Sequence, residues 1–171
     1  HGCLVGSEMC IRDRSNMKID DLVGVARAME EPTFVVVNAK NKELSTVKKM
    51  IKRAQKKPIS VAIASIGGTE HIGMYSYSKA ANIPFKAVSF GSGAQSLQAL
   101  ASGKVEASLL NPSEAAALIA DKKIKAIVLL HDKALADYPK VKTSYSMGHK
   151  VKVVTTRGYA VLKGCLLYTS D

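Results

Sequence analysis

An α/β domain, a parallel sheet covered by helices, is predicted for this 171-residue chain by three observations. Short apolar, β-branched-rich runs alternate with stretches of helical period. Each run ends in a break built from Gly, Ser, Thr or Asn that opens the next helix. No apolar stretch approaches the roughly 20 residues that a membrane-spanning helix needs.

Thr33-Phe-Val-Val-Val37 has the length and β-branched content of a strand. Val47, Met50, Ile51 and Ala54 then fall at i, i+3, i+4 and i+7, one helical stripe with Ser45 as the expected N-cap. Pro58 marks where that helix has ended, and Ile59–Ala64 reads as the next strand. Ser65-Ile-Gly-Gly-Thr69 breaks it and opens a helix through about Ala81, whose apolar period (Ile72, Met74, Tyr75, Tyr77) is blurred. Pro84–Phe90 is a strand, Gly91-Ser-Gly93 a break, and Ala94, Leu97, Leu100 and Ala101 a helical face that stops at Gly103, a natural C′ residue. Lys104–Leu110, Asn111-Pro-Ser113, and Ala115 with Leu118 and Ile119 repeat the cycle, and Ile124–Leu130 closes it. After His131 the pattern loosens around Tyr138-Pro139, then returns as two short strand candidates, Val151–Thr155 and Gly158–Leu162. Strands alternating with helices of about ten residues predict right-handed βαβ units.

The ends read differently. Residues 1–15 and 165–171 look like translated sequencing adapter, not native sequence, leaving residues 16–164 as the domain. All three cysteines (Cys3, Cys10, Cys165) lie in those ends, so disulfide, zinc-thiolate and cysteine-nucleophile chemistry lose their raw material. Removing the ends raises the net charge from +11 to +12. A chain flanked by adapter on both sides is expected to be a fragment.

In an open parallel sheet the strand-to-helix junctions lie along one edge, where helix N-termini present unpaired N–H groups and partial positive charge. Such an edge suits anions. The breaks supply glycines (Gly67, Gly68, Gly91, Gly93) for tight turns and short polar side chains (Ser65, Thr69, Ser89, Ser92, Asn111, Ser113) for hydrogen bonds. The same vocabulary serves ordinary turns and caps. Catalytic motifs fit less well. Gly91-Ser-Gly-Ala-Gln-Ser96 lacks the third glycine of a dinucleotide fingerprint, and there is no phosphate loop or nucleophile elbow. His71 has Glu70 beside it, but neighbours on a helix diverge, and no second His has metal-ligand spacing. His131 and His149 fall in loops without an evident partner. An α/β enzyme at this edge would have only Glu70 and His71 to work with. Lys48, Lys49, Lys52, Arg53, Lys56 and Lys57 lie opposite the Val47–Ala54 stripe and read as a solvated face. Their charge leaves a basic nucleic-acid-binding α/β domain as an alternative, though no aromatic residue interleaves to stack bases.

The succession Phe34-Val-Val-Val-Asn38, Ser65-Ile-Gly-Gly-Thr-Glu-His71, Val88-Ser-Phe-Gly-Ser-Gly93, Ser102-Gly-Lys-Val-Glu106 and Asn111-Pro-Ser-Glu-Ala115 resembles the tripartite tricarboxylate transporter substrate-binding (Bug) family. The resemblance runs from about residue 22 to 164. It implies the second lobe of a type II periplasmic-binding-protein fold, with Thr33–Asn38 and Thr155–Leu162 as interlobe crossings. It also implies a non-enzymatic, monomeric periplasmic receptor that captures a carboxylated solute and delivers it to membrane permease subunits, without cofactor, metal or nucleic acid. Carried over by motif, the ligand-binding residues are Ser65, Gly67, Gly68, Thr69 and His71 at the first junction, Gly91, Ser92 and Gly93 at the second, and Asn111 at the third. One departure is Thr156, where the family pattern has an aromatic residue before Arg157-Gly158.

Overall fold

The computed structural model describes residues 18–164, so the adapter-like ends lie outside the described residues. Along the chain run β1 (Leu22–Asn38), α1 (Val47–Ala54), β2 (Ile59–Ile63), α2 (Thr69–Ala81), β3 (Phe85–Ser89), α3 (Gly93–Ala101), β4 (Ala107–Leu110), α4 (Pro112–Ala120), β5 (Ile124–Leu130) and β6 (Val154–Leu162). Among the described residues no helix is long and apolar enough to cross a membrane. The chain forms two units, residues 31–155 and a smaller one in which 18–30 accompany 156–164.

The larger unit is built on a sheet of order β3-β2-β4-β1-β5. β2 pairs in parallel with both β3 and β4, as the strand–helix alternation predicts. β1 runs antiparallel to both of its neighbours, with Phe34 opposite Leu110 and Leu129. That direction was not legible, because a β-branched run buried on both faces carries no polarity in its pattern. Alternation along this run builds both sides of the core. Val35 and Val37 pack with Met50, Val61, Ile63 and Tyr77 on one face, whereas Phe34 and Val36 pack with Leu100, Leu110 and Ala115 on the other. All four β1 residues are at most 1% exposed.

Several local expectations are corrected. The N-cap of α1 is Thr46, whose hydroxyl accepts from the Lys49 amide, while Ser45 ends a short 3-10 turn over Lys42–Leu44. Arg53 does not belong to the solvated face. It bonds Glu106 at 2.7 Å and lies 3.5 Å from Glu43, with only 20% of its side chain exposed. The blurred period of α2 resolves once a glycine is counted as core: Gly73, Met74, Tyr77 and Ala81 are buried, while Ile72 and Tyr75 are exposed. A Cβ on Gly73 would lie 3.0 Å from Val153, so this face requires its smallest residue there. The strand expected over Lys104–Leu110 is confined to β4. The two candidates near the C-terminus are one strand, β6; Val151–Val153 precede it as irregular chain, although Val153 bonds Thr33 and Leu130 through its backbone.

In the smaller unit β6 pairs with β1, and the Lys163 amide donates to Asp21 O at 2.7 Å. Gly158 permits the close approach, since a Cβ there would stand 2.5 Å from Ala26 O. Val23, Val25 and Tyr159 are exposed on this ribbon.

One core group is unsatisfied. The hydroxyl of Tyr77 is buried and has no hydrogen-bond partner among the described residues, and burial pushes its pKa up to about 12 from 10.0. Because the folded state holds that proton more tightly, the contribution is intact below pH 10 and lost as pH rises toward 12. Tyr77→Phe is expected to stabilise the fold by about 1 kcal/mol at neutral pH, by relieving the unpaired hydroxyl. It should also flatten the alkaline loss of stability, both read by urea denaturation as a function of pH.

Candidate functional site

Parallel pairing of β2 with β3 and β4 brings the three strand-to-helix junctions to one edge of the larger unit. The junctions are stitched together by backbone. Phe90 donates to Ile63 O and Gly91 to Ala64 O, each at 3.0 Å, and the Ser89 hydroxyl reaches Ala64 O at 3.2 Å. The second and third junctions also adjoin, since a Cβ on Gly93 would meet Glu114 Oε1 at 3.6 Å. Ser65, Gly67, Gly68, Thr69 and His71 therefore share a rim with Gly91, Ser92, Gly93 and Asn111. Gly67 and Gly91 adopt φ of +83° and +80°, as their turns require.

The chemistry of this rim is decided by which helix-start amides are already occupied. At α4, Pro112 has no N–H, the Ser113 amide donates to Glu31 at 3.3 Å, and the Glu114 amide donates to Asn111 O at 3.1 Å. Glu31 takes the Ser113 hydroxyl as well, at 2.9 Å. Asn111, 8% exposed, uses Oδ1 to accept from Thr155. The third junction is thus engaged internally.

The first two junctions are open. α2 starts at Gly68, which has no capping side chain, and the amides of Thr69, Glu70 and His71 have no acceptor among the described residues. At α3 the Ser92 hydroxyl caps the Gln95 amide at 3.3 Å, leaving the Gly93 and Ala94 amides without an acceptor among the described residues. Neither helix turns an acidic side chain onto these groups. α3 has no acid in its first turn, and the Glu70 carboxylate bends back to accept from the Ala64 amide at 2.6 Å. Five N–H groups on two adjacent helix ends are thereby without an acceptor among the described residues.

Glu70 and His71 do not form an acid–base pair. His71 Nδ1 accepts from the Gly67 amide at 3.0 Å, so each side chain braces its own turn. Burial raises the Glu70 carboxyl above its ordinary 4.5, and the charge of Glu114 pushes the same way, against the Ala64 hydrogen bond. His131 and His149 have partners that were not evident from sequence. His131 accepts from the Lys133 amide at 3.0 Å, and His149 donates to Ala80 O at 3.0 Å with its ring edge-on to Tyr77. Among the described residues no group of three His, Cys, Asp or Glu side chains is placed to hold a metal ion. Glu114 was recoverable from the Asn-x-x-Glu spacing of a capping box. Glu31 was not, since it meets Ser113 from 82 positions away.

The larger unit is thus an α/β lobe in which two neighbouring helix starts keep first-turn amides without an acceptor among the described residues. The model of the tripartite tricarboxylate transporter family receptor matches residues 11–160, and the chain belongs to that family. The resemblance carried by the five ordered motifs is therefore correct. No curated protein matches it in sequence. Among solved structures, a TctC solute-binding protein from Polaromonas without ligand is 23% identical with a TM-score of 0.74, over 88% of this chain and 52% of that one. An R. palustris protein solved with adipate is 18% identical with a TM-score of 0.78, over 84% and 49%. MatC from Rhodopseudomonas palustris with bound malate is 19% identical with a TM-score of 0.75, over 84% and 49%. At these identities the likeness establishes the fold. The chain spans about half the length of each of these structures.

Because its folded-state pKa is raised, Glu70 favours the fold most when protonated, and that contribution is lost as pH rises from 4.5 through the raised value. Glu70→Gln keeps an acceptor for Ala64 but removes the titration. Acidification from neutral pH toward 4.5 should therefore shift relative stability in favour of the unsubstituted protein, a trend that denaturant titrations at a series of pH values will detect.

Proposed function

We propose that this chain is the lobe of an extracytoplasmic solute receptor that holds one carboxylate of an organic acid on the first-turn amides of α2 and α3. The observation that carries the reading is the pair of adjoining helix ends whose amides of Thr69, Glu70, His71, Gly93 and Ala94 lack an acceptor among the described residues. A carboxylate there gains charge-assisted hydrogen bonds and two aligned helix dipoles, the latter at about 0.3–1 kcal/mol per helix end. Ser65 and Ser92 shape the two turns, and Gly67, Gly68, Gly91 and Gly93 keep the backbone uncovered. Asn111 has a different role in this reading from the one implied by resemblance: it braces the rim through Thr155 and leaves the anion to its neighbours.

Family membership supports delivery of the solute to membrane permease subunits and action outside the cytoplasm. The adipate and malate seen in two structural neighbours support a dicarboxylate as the solute. Residues 16–164 form the receptor segment in this reading, with β1 and β6 as crossing strands and foreign sequence at both ends. The receptor works as a monomer without catalysis.

Proline substitution at the first helical position tests the site, because it deletes one amide while respecting the helix. Gly68 (ψ 172°) and Ser92 (ψ 158°) are already extended, as a residue preceding proline must be. Pro112 occupies the same position in α4. Titration with malate or adipate, followed by amide NMR, is expected to shift the signals of Thr69, Glu70, His71, Gly93 and Ala94 selectively. Thr69→Pro and Gly93→Pro should each weaken binding about tenfold, the worth of one hydrogen bond to a charged group. Dicarboxylate-induced shifts confined to other parts of the chain, or affinities unchanged in both variants, would refute the reading.

A further inference from the structure

At the end of the sheet opposite the junction rim, where β1 stops and β5 starts, the larger unit carries a trough of about 340 Å³. Its apolar lining comes from Ile119, Ile124, Ala126 and Val141, with Tyr138 beside them. The Tyr138 ring is fixed edge-on against buried Phe34, centroids 5.0 Å apart, and its backbone carbonyl accepts from Val141 at 3.0 Å. Three exposed lysines, Lys122, Lys125 and Lys140, also line the trough, and among the described residues no acidic one does. Among the described residues Lys122 and Lys140 have no ion-pair partner, and Lys125 spends one proton on Ser45 O at 3.2 Å. The neighbouring Asp121 is paired with Lys123 at 3.2 Å.

Lys122 is held there against backbone preference. It is the C′ residue of α4, at φ +56°, with its amide bonded to Ile119 O and that of Lys123 bonded to Leu118 O. α3 closes with the same pair of bonds, Gly103 to Leu100 O and Lys104 to Ala99 O, yet places glycine at the left-handed position, φ +79°. Two identical helix endings in one domain thus differ in that the one bordering the trough carries a cation where glycine is the relaxed choice.

We propose that this trough seats a short acidic segment of a partner protein, with one apolar side chain on the floor and flanking carboxylates on Lys122, Lys125 and Lys140. Charge complementarity and the apolar floor select this occupant together. A single exposed ion pair is worth little, so a small monovalent acid would gain little at these lysines. An extended segment engages all three at once and buries apolar surface in the same contact. An anionic lipid surface would use the charge but not the floor. The site shares no residue with the junction rim, so it stands or falls apart from carboxylate binding.

Fluorescence anisotropy of a labelled peptide with one leucine between two pairs of glutamates, titrated with the full chain, tests the proposal. Saturable binding is expected, weakened about fivefold when serine replaces the leucine, as partial burial of that side chain requires. Lys140→Glu and Lys122→Gly are each expected to weaken it about tenfold, whereas Lys48→Glu on α1 should leave it unchanged. Lys122→Gly should meanwhile raise the urea midpoint, which separates loss of the site from loss of the fold. Absence of saturable binding, indifference to the leucine, an equal loss on Lys48→Glu, or displacement of the peptide by phosphatidylglycerol vesicles at equivalent charge would overturn the proposal.

Discussion

Parallel pairing of β2 with β3 on one side and β4 on the other is the constraint from which the site follows. Once Ile63 is in register with Ser89, and Ala62 with Ser108, three consecutive strand ends must emerge along one edge. The helices that leave them then start side by side. β1 makes that arrangement durable. Its residues Phe34, Val35, Val36 and Val37, alternately facing the two layers of helices, are almost fully buried and join β4 to β5.

Helix starts are not equivalent merely because they share an edge. Each presents the same kind of orphan amide, and the question is what accepts from it. In α4 the protein supplies its own carboxylate, Glu31, together with a proline that offers no donor at all. In α2 the first-turn carboxylate of Glu70 turns away to brace the β2 end, which leaves the helix start uncapped. The three carboxylates near the rim, Glu31, Glu70 and Glu114, are all committed to backbone amides. The acids are spent on particular donors, and the remaining donors are grouped on two adjacent helices, where the proposed carboxylate site lies.

Charge elsewhere follows a similar logic. Arg53 is drawn inward by Glu106, which itself bonds Ser60, so one member of the basic α1 cluster is structural. The remaining lysines of that helix are exposed. At the opposite end of the sheet from the rim, by contrast, lysines border an apolar floor with no acid among the lining residues. The same excess of positive charge therefore means different things in different places, depending on what lies beneath it.

Element type and order were legible in the amino-acid pattern. Strand runs, helix stripes, the Gly103 stop and the five motifs all rest on local preferences that a short stretch of chain expresses by itself. Local rules also failed in identifiable ways. Ser45 and Thr46 are both residues that cap helices, and it is Thr46 that starts α1 in the fold. Gly73 is invisible to a search for apolar residues, although it is buried. The direction of β1, the pairing of Glu31 with Ser113, and the burial of Arg53 were settled by the tertiary structure alone. Each depends on contacts between segments far apart in sequence, and a periodic pattern carries no information about which distant group will meet it. Residue types on the rim were thus written in the chain, whereas which of its donors remain open was decided only when the chain folded.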